Sequence, residues 1–532
     1  MAKALVIALA RFGDLLQSFP AISDLHRTSG GHEIALLVPD DLVSLAKLHR
    51  CVDEIIPFDG DELLHIMRLD QAAVQQGVAS LVPLFEAIET YQPDVIVNLT
   101  HTRFSGVLAA SFPDIPVRGR LIQRNDDEIL EPHWTRYFFS LLESRSCNGF
   151  NLVDLNRKIA SDQCSAFEDI DISADHQRHV AEIIPAAAQR IRIAVAMGAN
   201  HPLRQWPVPS WKETIRLLAS EMSAQVVLVG TKSEIADAQS ISDVVGNVVV
   251  NLCGQTDPAQ LAAVIDSCDI FIGQDSGPLH LAALLGKPCV GLYLAMASAW
   301  DTAPYTSHGV TIEPDLDCHP CSESGSCNNP ICHAVVTPEI VLHSIRHLLT
   351  EANLQPVADV SIKNTVFDPS GCLTLAGQPK KGDQLRLFWR TALQGLFPST
   401  GTVPGFNKNV NAEIISQYRD NITILEKKLL EAVQQSMGRL QEQLDRGDYQ
   451  DTLSSEIFSL ADEFSSFRPL FDLYRIECFN SSAEYFSPIE KALAAQENLL
   501  QRLTRIQRLL INYTAIRDNQ PEFALYNDAI NA

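Results

Sequence analysis

Buried strands alternate with helical stretches twice along this chain, and that alternation constrains the fold more than any other feature. Apolar runs at 3–10, 34–38 and 94–99 are typical of strands, and helical stretches, including one near 15–28, separate them. Strand, helix and strand in succession is the pattern of a parallel sheet. The sequence therefore predicts an α/β unit in the first part of the chain.

The same alternation restarts at Arg190 after a less regular stretch from about 120 to 185. We predict strands at 191–196, 225–229, 247–251, 268–272 and 289–293, helices at 209–221 and 258–266, and a closing helix near 337–350. Two such α/β units facing each other form a cleft, which is a common place for a ligand site.

Changes in composition divide the chain into four predicted regions. We assign residues 1–180 and 181–352 to the two α/β domains, 353–405 to a linker with a small β appendage, and 406–532 to an all-α extension. The extension is rich in Leu, Ile, Gln, Glu and Arg at helical spacing, which favours a bundle or antiparallel hairpins. Its simplest interpretation is a packing module or a module that joins copies of the chain into a homo-oligomer.

The charge balance excludes some classes of partner. The 532 residues carry a formal net charge of -24, and no basic stripe is visible. This argues against a nucleic-acid binder and against broad electrostatic docking on anionic lipid, although a local basic patch would still permit peripheral membrane contact. No apolar stretch has the length needed to span a bilayer.

The first ten residues place one Lys before a short apolar run, as a signal peptide does. Arg11 and Asp14 interrupt the run early, and no small-residue cleavage site follows, so a first β-strand is the better interpretation. The chain has 12 Cys, and without a secretion signal these fit a reduced, cytoplasmic protein.

One strand–turn–helix segment carries the strongest functional signal. The apolar run that begins near Phe271 ends in Asp275-Ser276-Gly277, and a helical stretch with His280 begins at once. Ligands of open α/β sheets bind beyond the carboxyl ends of the strands, beside helix N-termini whose free N–H groups suit a phosphate. The turn therefore predicts a site for a ligand that carries phosphate or diphosphate.

Four further loops at predicted strand ends carry candidate residues. Asp14 is either the N-cap of the first helix or a general base at the cleft. Arg204 is either a solvated charge or a clamp for phosphate. Glu234 follows a strand that ends in Gly, where a ribose could be held, and Thr256 lies in a loop that could line the same cleft.

Taken in order, these motifs resemble glycosyltransferase family nine, the bacterial heptosyltransferases of the lipopolysaccharide inner core. The motifs are Arg-x-Gly-Asp-x-Leu, Arg-x-Trp-Pro, Gly-x-x-x-Glu, Leu-x-Gly-x-Thr and Asp-Ser-Gly-x-x-His-x-Ala, within residues 1–350. The resemblance implies two Rossmann-like domains facing across a cleft (the GT-B arrangement). It also implies an inverting transfer from ADP-heptose that requires no metal. A nucleotide-dependent dehydrogenase does not fit, because no G-x-G-x-x-G follows the first strand.

The resemblance also implies a role for each residue. Asp14 corresponds to the general base that activates the acceptor hydroxyl. The donor side would hold the phosphates with Arg204, the nucleoside with Glu234 and Thr256, and the sugar diphosphate with Asp275, Ser276 and Gly277. His280 would either contact the donor or order the turn. The acceptor is a glycan, a lipid-linked glycan or a protein, and a catalytically silent sugar-nucleotide-binding scaffold is the alternative from another class.

Four cysteines form a cluster within the second unit, after the Asp275 turn. Cys318, Cys321, Cys327 and Cys332 give the spacing C-x2-C-x5-C-x4-C in a polar loop. Four thiolates at short spacing fit a tetrahedral structural metal site, zinc or iron, and in a reduced compartment a metal is favoured over disulfides, with labile thiols as the alternative. A cysteine-bearing branch of the same family is similar here and holds iron.

Overall fold

A computed structural model of the chain describes residues 1–396 except 29, 61–70, 125–126, 162–166, 168, 186–190, 322–326, 351–352, 379 and 381. Beyond residue 396 it describes only positions 421, 424, 425, 428, 470, 499 and 502, so the predicted all-α extension at 406–532 otherwise lies outside the described residues. The chain forms two compact units, a larger one of residues 1–121 and 150–380, and a smaller one of residues 122–149 and 381–532.

The first half of the larger unit contains a parallel sheet. Its strands are β1 (Ala2–Ile7), β2 (His32–Pro39), β3 (Glu54–Phe58), β4 (Val95–Asn98) and β5 (Val117–Ile122), in the order β3-β2-β1-β4-β5. The helices between them are α1 (Phe12–Arg27), α2 (Val43–Ala46), α3 (Gln71–Tyr91) and α4 (Arg103–Ala110). Central β1 is apolar along most of its length because helices cover both faces of a parallel sheet.

The smaller unit includes β6 (Glu128–Glu131), α5 (His133–Ser144) and a helix at Asp383–Leu396. Two buried arginines of that last helix fix it to the end of the 122–149 segment: Arg386 Nη1 donates to Asn148 O and Arg390 Nη1 to Gly149 O, each at 2.7 Å. The absence of a side chain at Gly149 permits this approach, since a Cβ there would overlap the backbone of Arg386.

The second half of the larger unit is built on eight strands. They are β7 (Arg192–Ala196), β8 (Gln225–Val229), β9 (Val249–Asn251), β10 (Ile270–Gln274), β11 (Cys289–Leu292), β12 (Gly309–Pro314), β13 (Val360–Phe367) and β14 (Leu373–Gly377). The order is β14-β13-β12-β11-β10-β7-β8-β9. Neighbouring strands pair in parallel except β12 with β13 and β13 with β14, which pair antiparallel.

The helices that follow α5 are distributed between the halves of the larger unit. They are α6 (Leu152–Ala160), α7 (Ala174–Ile183), α8 (Val208–Met222), α9 (Ile235–Val245), α10 (Pro258–Asp266), α11 (Gly277–Leu284), α12 (Ala299–Thr302), α13 (Cys332–Val335) and α14 (Pro338–Thr350). Among the described helices, none has both the length and the apolar character needed to cross a bilayer.

The strand–helix alternation predicted from the sequence is confirmed in both halves, and each predicted strand falls on an observed one within a few residues. Four strands were missed. Pro57 interrupts the apolar run of β3 and Pro314 ends the short run of β12, while β5 and β6 mix polar residues with their apolar ones. The β-prone pieces predicted as an appendage within 353–405 are β13 and β14, which extend the second sheet by pairing with β12.

Helix α6 joins the two halves of the larger unit through buried polar contacts. Arg157 pairs with Asp24 of α1, Nε to Oδ2 at 2.6 Å, and both side chains are almost fully buried. Arg157 Nη1 also donates to the Tyr305 hydroxyl at 3.0 Å, and that hydroxyl donates to Asp154 Oδ1 at 2.7 Å. Asp154 Oδ2 accepts from the backbone N–H of Leu373 at 3.0 Å, so one carboxylate binds two segments of the second half.

His49 is buried behind α1 with both ring nitrogens engaged. Its Nδ1 accepts from the backbone N–H of Cys51 at 3.1 Å, and Nε2 lies 3.0 Å from Phe19 O and 3.2 Å from Ser23 Oγ. This pattern requires a neutral ring with its proton on Nε2. Burial is the main cause that lowers the pKa of His49 from 6.5 to about 4.

We expect His49 to make the fold sensitive to acid. In the unfolded chain His49 is protonated below its pKa of 6.5, whereas in the folded chain it is protonated only near pH 4. The contribution of neutral His49 to the free energy of unfolding is therefore fully present above pH 6.5. It is lost as the pH falls toward 4, by about 3 kcal/mol in total. Thermal unfolding midpoints of wild type and His49→Asn, measured between pH 7 and pH 4, check this. The loss with falling pH should shrink in His49→Asn and persist in His308→Asn, whose side chain is exposed. Equal slopes in all three proteins would contradict it.

Candidate active site

Asp14 lies in the first turn of α1, directly beyond the carboxyl end of β1. Its Oδ2 accepts a hydrogen bond from the backbone N–H of Arg11 at 3.2 Å, and the side chain is exposed. The carboxylate therefore stabilises the start of the helix, and it also faces solvent at a strand end, where a substrate can reach it. The interpretation of Asp14 as the N-cap is wrong, because Arg11 is the N-cap and Asp14 is the third helical residue. Its contact with the Arg11 N–H is compatible with the predicted role as a base, since a carboxylate has more than one acceptor site.

The Asp275 turn joins β10 to α11 as predicted. Ser276 is the N-cap residue of α11, and helix numbering begins at Gly277. Asp275 is nearly buried, and its backbone N–H donates to Leu292 O at 3.1 Å, which fixes the turn to the neighbouring strand. The free N–H groups of the first turn and the positive end of the helix dipole give this turn the properties of an anion site.

Arg204 is held by the same turn. Its Nη2 lies 2.5 Å from Asp275 Oδ2 and also donates to Asp275 O. The interpretation of Arg204 as a solvated charge is therefore wrong, since the guanidinium is mostly buried in this ion pair. Two buried polar atoms beside the turn, Arg204 Nε and Gln274 Oε1, have no hydrogen-bond partner among the described residues. A buried donor and a buried acceptor at one strand end are groups that a ligand can satisfy.

The starts of α1 and α11 meet in the larger unit. A Cβ at Gly13 would lie 3.4 Å from Gly277 Cα, and a Cβ at Gly277 would overlap the Phe12 ring. One turn further along α1, the Gln17 side-chain nitrogen Nε2 lies 3.1 Å from His280 Nε2. The structure therefore brings together the predicted base helix and the predicted donor turn.

His280 is at the centre of this contact. Burial is the main cause that lowers its pKa, and Arg204 lowers it further, while the carboxylates of Asp275 and Asp14 raise it. Its Nε2 is 3.7 Å from Asp275 Oδ1, too far for a hydrogen bond. The described side-chain hydrogen bond of His280 goes to Gln17 and not to the turn, so both interpretations from the sequence, ordering the turn and direct contact with the donor, stay predictions.

Glu234 and Thr256 lie at the ends of neighbouring strands in the same sheet. Glu234 Oε2 accepts from the N–H and the hydroxyl of Thr231, at 2.6 and 2.7 Å, so it closes its own turn after β8. The carboxylate also lies against the loop after β7, since a Cβ at Gly198 would be 2.8 Å from Glu234 Oε1. Thr256 follows β9, one residue before Asp257, the N-cap of α10.

Sequence reasoning missed Gln17 and Gln274. Gln17 is a polar residue on the buried face of α1, three residues after Asp14, and only 3% of it is exposed. A polar residue at that spacing from a predicted base was the available signal. Gln274 is the last residue of β10 and 1% exposed, with its Nε2 donating to Met197 O at 2.8 Å. The apolar run before Gln274 contains no signal that predicts this hydrogen bond.

The four-cysteine segment packs beside the second sheet. The pKa of the Cys321 thiol is raised, first by burial and then by the negative charges of Cys332, Cys318 and Cys327, so the four sulfurs lie within electrostatic range of one another. The Cys321 N–H donates to Ala295 O at 2.9 Å, just beyond β11. In the ranges that the structure describes, no group of three or more His, Cys, Asp or Glu side chains forms a metal-ligand set.

This segment also contacts the Arg204 loop. His333 Nε2 lies 2.7 Å from Leu203 O, and the Trp206 indole N–H donates to His333 O at 3.3 Å. The position of the cysteine segment is therefore coupled to the position of Arg204.

A cavity of about 650 Å³ lies between the two halves at the other end of α11. It is lined by residues that include Arg50, Ile172, Leu285, Thr306 and Phe367. None of the predicted site residues lines it, so the cavity is separate from the candidate active site.

Comparison with known proteins identifies a family that part of the chain matches. Residues 122–332 match the family described as Glycosyltransferase family 9 (heptosyltransferase). This region contains the Asp275 turn, Arg204 and the four cysteines, whereas Asp14 precedes it. The lipopolysaccharide core heptosyltransferase OpsX of Haemophilus influenzae is 26% identical over 141 residues, which cover 26% of this chain and 40% of that protein. The chain thus spans less than half the length of this curated relative.

Two solved structures share the fold. Escherichia coli ADP-heptose lipopolysaccharide heptosyltransferase II aligns with a TM-score of 0.50 and 20% identity, covering 66% of this chain and 99% of that chain. The family 9 glycosyltransferase of Veillonella parvula aligns with a TM-score of 0.52 and 17% identity, covering 66% and 98%. The expected GT-B-like α/β fold is therefore confirmed. The resemblance inferred from the ordered motifs is confirmed for residues 122–332, which match glycosyltransferase family 9 (heptosyltransferase).

Proposed function

We propose that this protein is an inverting glycosyltransferase that moves a sugar, heptose, from a nucleotide diphosphate donor, ADP-heptose, to a cell-surface glycan such as the lipopolysaccharide core. The observation that carries the proposal is the meeting of α1 and α11, which brings Asp14 and the Asp275 turn to the same place. An inverting transfer needs a base on the acceptor side and a site for the departing diphosphate on the donor side, and this contact supplies both.

On the donor side, the turn before α11 receives the diphosphate. The helix N-terminus offers backbone N–H donors, and Arg204 supplies a positive charge whose Nη2 is already oriented by Asp275. Arg204 Nε is a buried donor without a partner among the described residues, so it is available to a phosphate oxygen. Glu234 and Thr256, at the ends of β8 and β9, line the nucleoside side of the site.

On the acceptor side, Asp14 takes the proton. The acceptor oxygen attacks the anomeric carbon from the face opposite the diphosphate and forms the new glycosidic bond. The bond from that carbon to the diphosphate oxygen breaks, and the bonding pair leaves with the nucleotide. The Asp14 carboxylate accepts the hydroxyl proton, which a group that is exposed at a strand end can do once the acceptor is bound. Closure of the cleft excludes water from the activated sugar.

A protein acceptor is the second candidate. The two solved structures cover 66% of this chain and nearly all of their own, so about a third of the chain has no counterpart in them. Additional chain length beyond a complete transferase fold provides surface for recruiting an acceptor or for self-association.

A nucleotide-sugar donor implies that the enzyme acts in the cytoplasm, where a lipid-linked acceptor would be reached at the membrane surface. The net charge of -24 argues against nucleic acid as a partner.

We also propose that the four-cysteine segment holds a structural zinc or iron ion. Cys318, Cys321, Cys327 and Cys332 supply the sulfur donors that both metals accept. Burial raises the pKa of Cys321 and Cys332, and a bound cation would stabilise their thiolate forms. When bound, the metal would cross-link the loop and would take no part in the reaction. The loop contacts the Arg204 segment through His333, so its order affects the donor side.

Asp14→Asn tests the assigned base. Asn keeps a side-chain oxygen that can accept the Arg11 N–H, so we expect the fold to persist, and loss of the proton acceptor to reduce transfer about 10²–10⁴-fold. The measurement is product formation with ADP-heptose, after thermal-shift comparison of ADP-, UDP- and GDP-sugars. The control is Asp175→Asn, an exposed carboxylate in the first turn of α7. Near-normal turnover by Asp14→Asn would exclude the role, and donor binding without turnover by wild type would favour the silent scaffold.

Elemental analysis of anaerobically purified protein tests the metal. We expect stoichiometric zinc or iron in wild type, and loss of the metal with a lower unfolding midpoint in Cys318→Ser and Cys327→Ser, because sulfur ligands are removed. Cys268→Ala, a buried thiol far from the segment in sequence, should retain the metal. Wild-type protein without bound metal would contradict the proposal.

A further inference from the structure

The contact between Gln17 and His280 is the one side-chain hydrogen bond described here that links the start of α1 to the start of α11. Gln17 is 3% exposed and His280 is 7% exposed, so water does not compete for this bond. The two nitrogens lie 3.1 Å apart. Gln17 is three residues after Asp14, which puts both side chains on the same side of α1.

The chemistry of the pair fixes the protonation of His280. An amide nitrogen only donates, so in this arrangement His280 Nε2 is the acceptor and the ring proton is on Nδ1. A hydrogen bond donated to a ring nitrogen stabilises the neutral imidazole, since the protonated ring has no acceptor. The bond therefore acts in the same direction as the burial of the ring.

A neutral His280 keeps the donor turn intact. The ring Nε2 is 3.7 Å from Asp275 Oδ1, while Asp275 Oδ2 is 2.5 Å from Arg204 Nη2. An imidazolium at that place would attract the Asp275 carboxylate and compete with Arg204 for it. Of the charged groups that act on His280, Asp275 and Asp14 favour the protonated ring and Arg204 opposes it. The Gln17 bond, like Arg204, favours the neutral ring.

Gln17 is itself fixed from the first half. Its backbone carbonyl accepts from Asn156 Nδ2 of α6 at 3.2 Å, and Asn156 is 4% exposed. The backbone that carries the Gln17 amide is thus held in place where the amide contacts His280. Through this contact, the position of α1 and of Asp14 is fixed relative to the turn before α11.

We propose that Gln17 is a positioning residue that holds His280 neutral, with its proton on Nδ1, and aligns the Asp14 helix with the Asp275–Arg204 pair. The effect on transfer rests on the proposed function, whereas the state of the His280 ring does not. Gln17 touches no substrate in this role, since it acts through His280.

Two substitutions separate positioning from packing. Gln17→Leu keeps the volume and removes the donor. Gln17→Glu keeps the shape and replaces the amide with a carboxylate, which favours the imidazolium. Ser23→Ala is the matched control, because Ser23 is an equally buried polar residue of α1 whose hydroxyl contacts Phe19 and His49 instead.

The first measurement is ¹⁵N nuclear magnetic resonance of the histidine rings in the full chain, with His280 assigned by His280→Gln. We expect the Nδ1-protonated neutral ring in wild type and in Ser23→Ala, a mixture of ring forms in Gln17→Leu, and a raised His280 pKa in Gln17→Glu. A wild-type ring protonated on Nε2, or a His280 signal unchanged in both Gln17 variants, would overturn the proposal.

The second measurement is transfer activity against pH. We expect kcat to fall about tenfold in Gln17→Leu, the loss that follows removal of one buried hydrogen bond. In Gln17→Glu we expect activity to be lost as the pH falls through the raised His280 pKa, with an unchanged profile in Ser23→Ala. Profiles of both Gln17 variants that match Ser23→Ala would overturn the positioning role. If wild type has no transferase activity, the proposed function fails, and the ring measurement still decides the state of His280.

Discussion

The candidate site depends on the close approach of two helix N-termini, α1 and α11. The approach requires glycine at position 277, where a Cβ would overlap the Phe12 ring, whereas a Cβ at Gly13 would make an ordinary contact with the Gly277 backbone. Each helix begins directly after a strand of a different sheet, so one contact between glycines brings the carboxyl edges of two sheets together. Every group assigned to acceptor or donor lies beside that contact or on the strand ends that lead to it.

Electrostatics favours an anion at this place. The N-terminal ends of α1 and α11 both carry partial positive charge, and each has one carboxylate, Asp14 or Asp275, that offsets part of it. Arg204 is paired with Asp275, but the guanidinium has five N–H donors and the carboxylate takes only some of them. A neutral His280 adds no charge to this balance. Free hydrogen-bond donors at the helix N-termini and on Arg204, rather than net charge, therefore suit this turn to phosphate groups.

The sequence predicted those features that local patterns encode. Apolar runs ended by polar turns located the strands of both sheets and placed Asp14, Glu234 and the Asp275 turn at strand ends. Pairing between distant elements has no such local signal. The Arg204–Asp275 ion pair joins loops 71 residues apart, and the Gln17–His280 bond joins helices 263 residues apart, so neither could be found without the fold. Strands β3 and β12 were missed for a local reason, because Pro57 interrupts one apolar run and Pro314 ends the other.

The polar face of α1 also contributes to the contacts that join the two halves of the larger unit. Gln17 and Asp24 lie seven residues apart, two helical turns, and so point in a similar direction from α1. Near Asp24 the contact with the second half is made by Tyr305, whose hydroxyl binds Arg157 and Asp154. The Asp24–Arg157 ion pair lies wholly within the first half, so separation of the halves at Tyr305 leaves both charges paired. The buried Asp154 carboxylate differs, because its described hydrogen bonds to the Tyr305 hydroxyl and the Leu373 N–H both cross to the second half, and bonds to a charged group stabilise more than neutral ones. Asp24 and Arg157 therefore stabilise α1 against α6, while Asp154 holds the second half to α6.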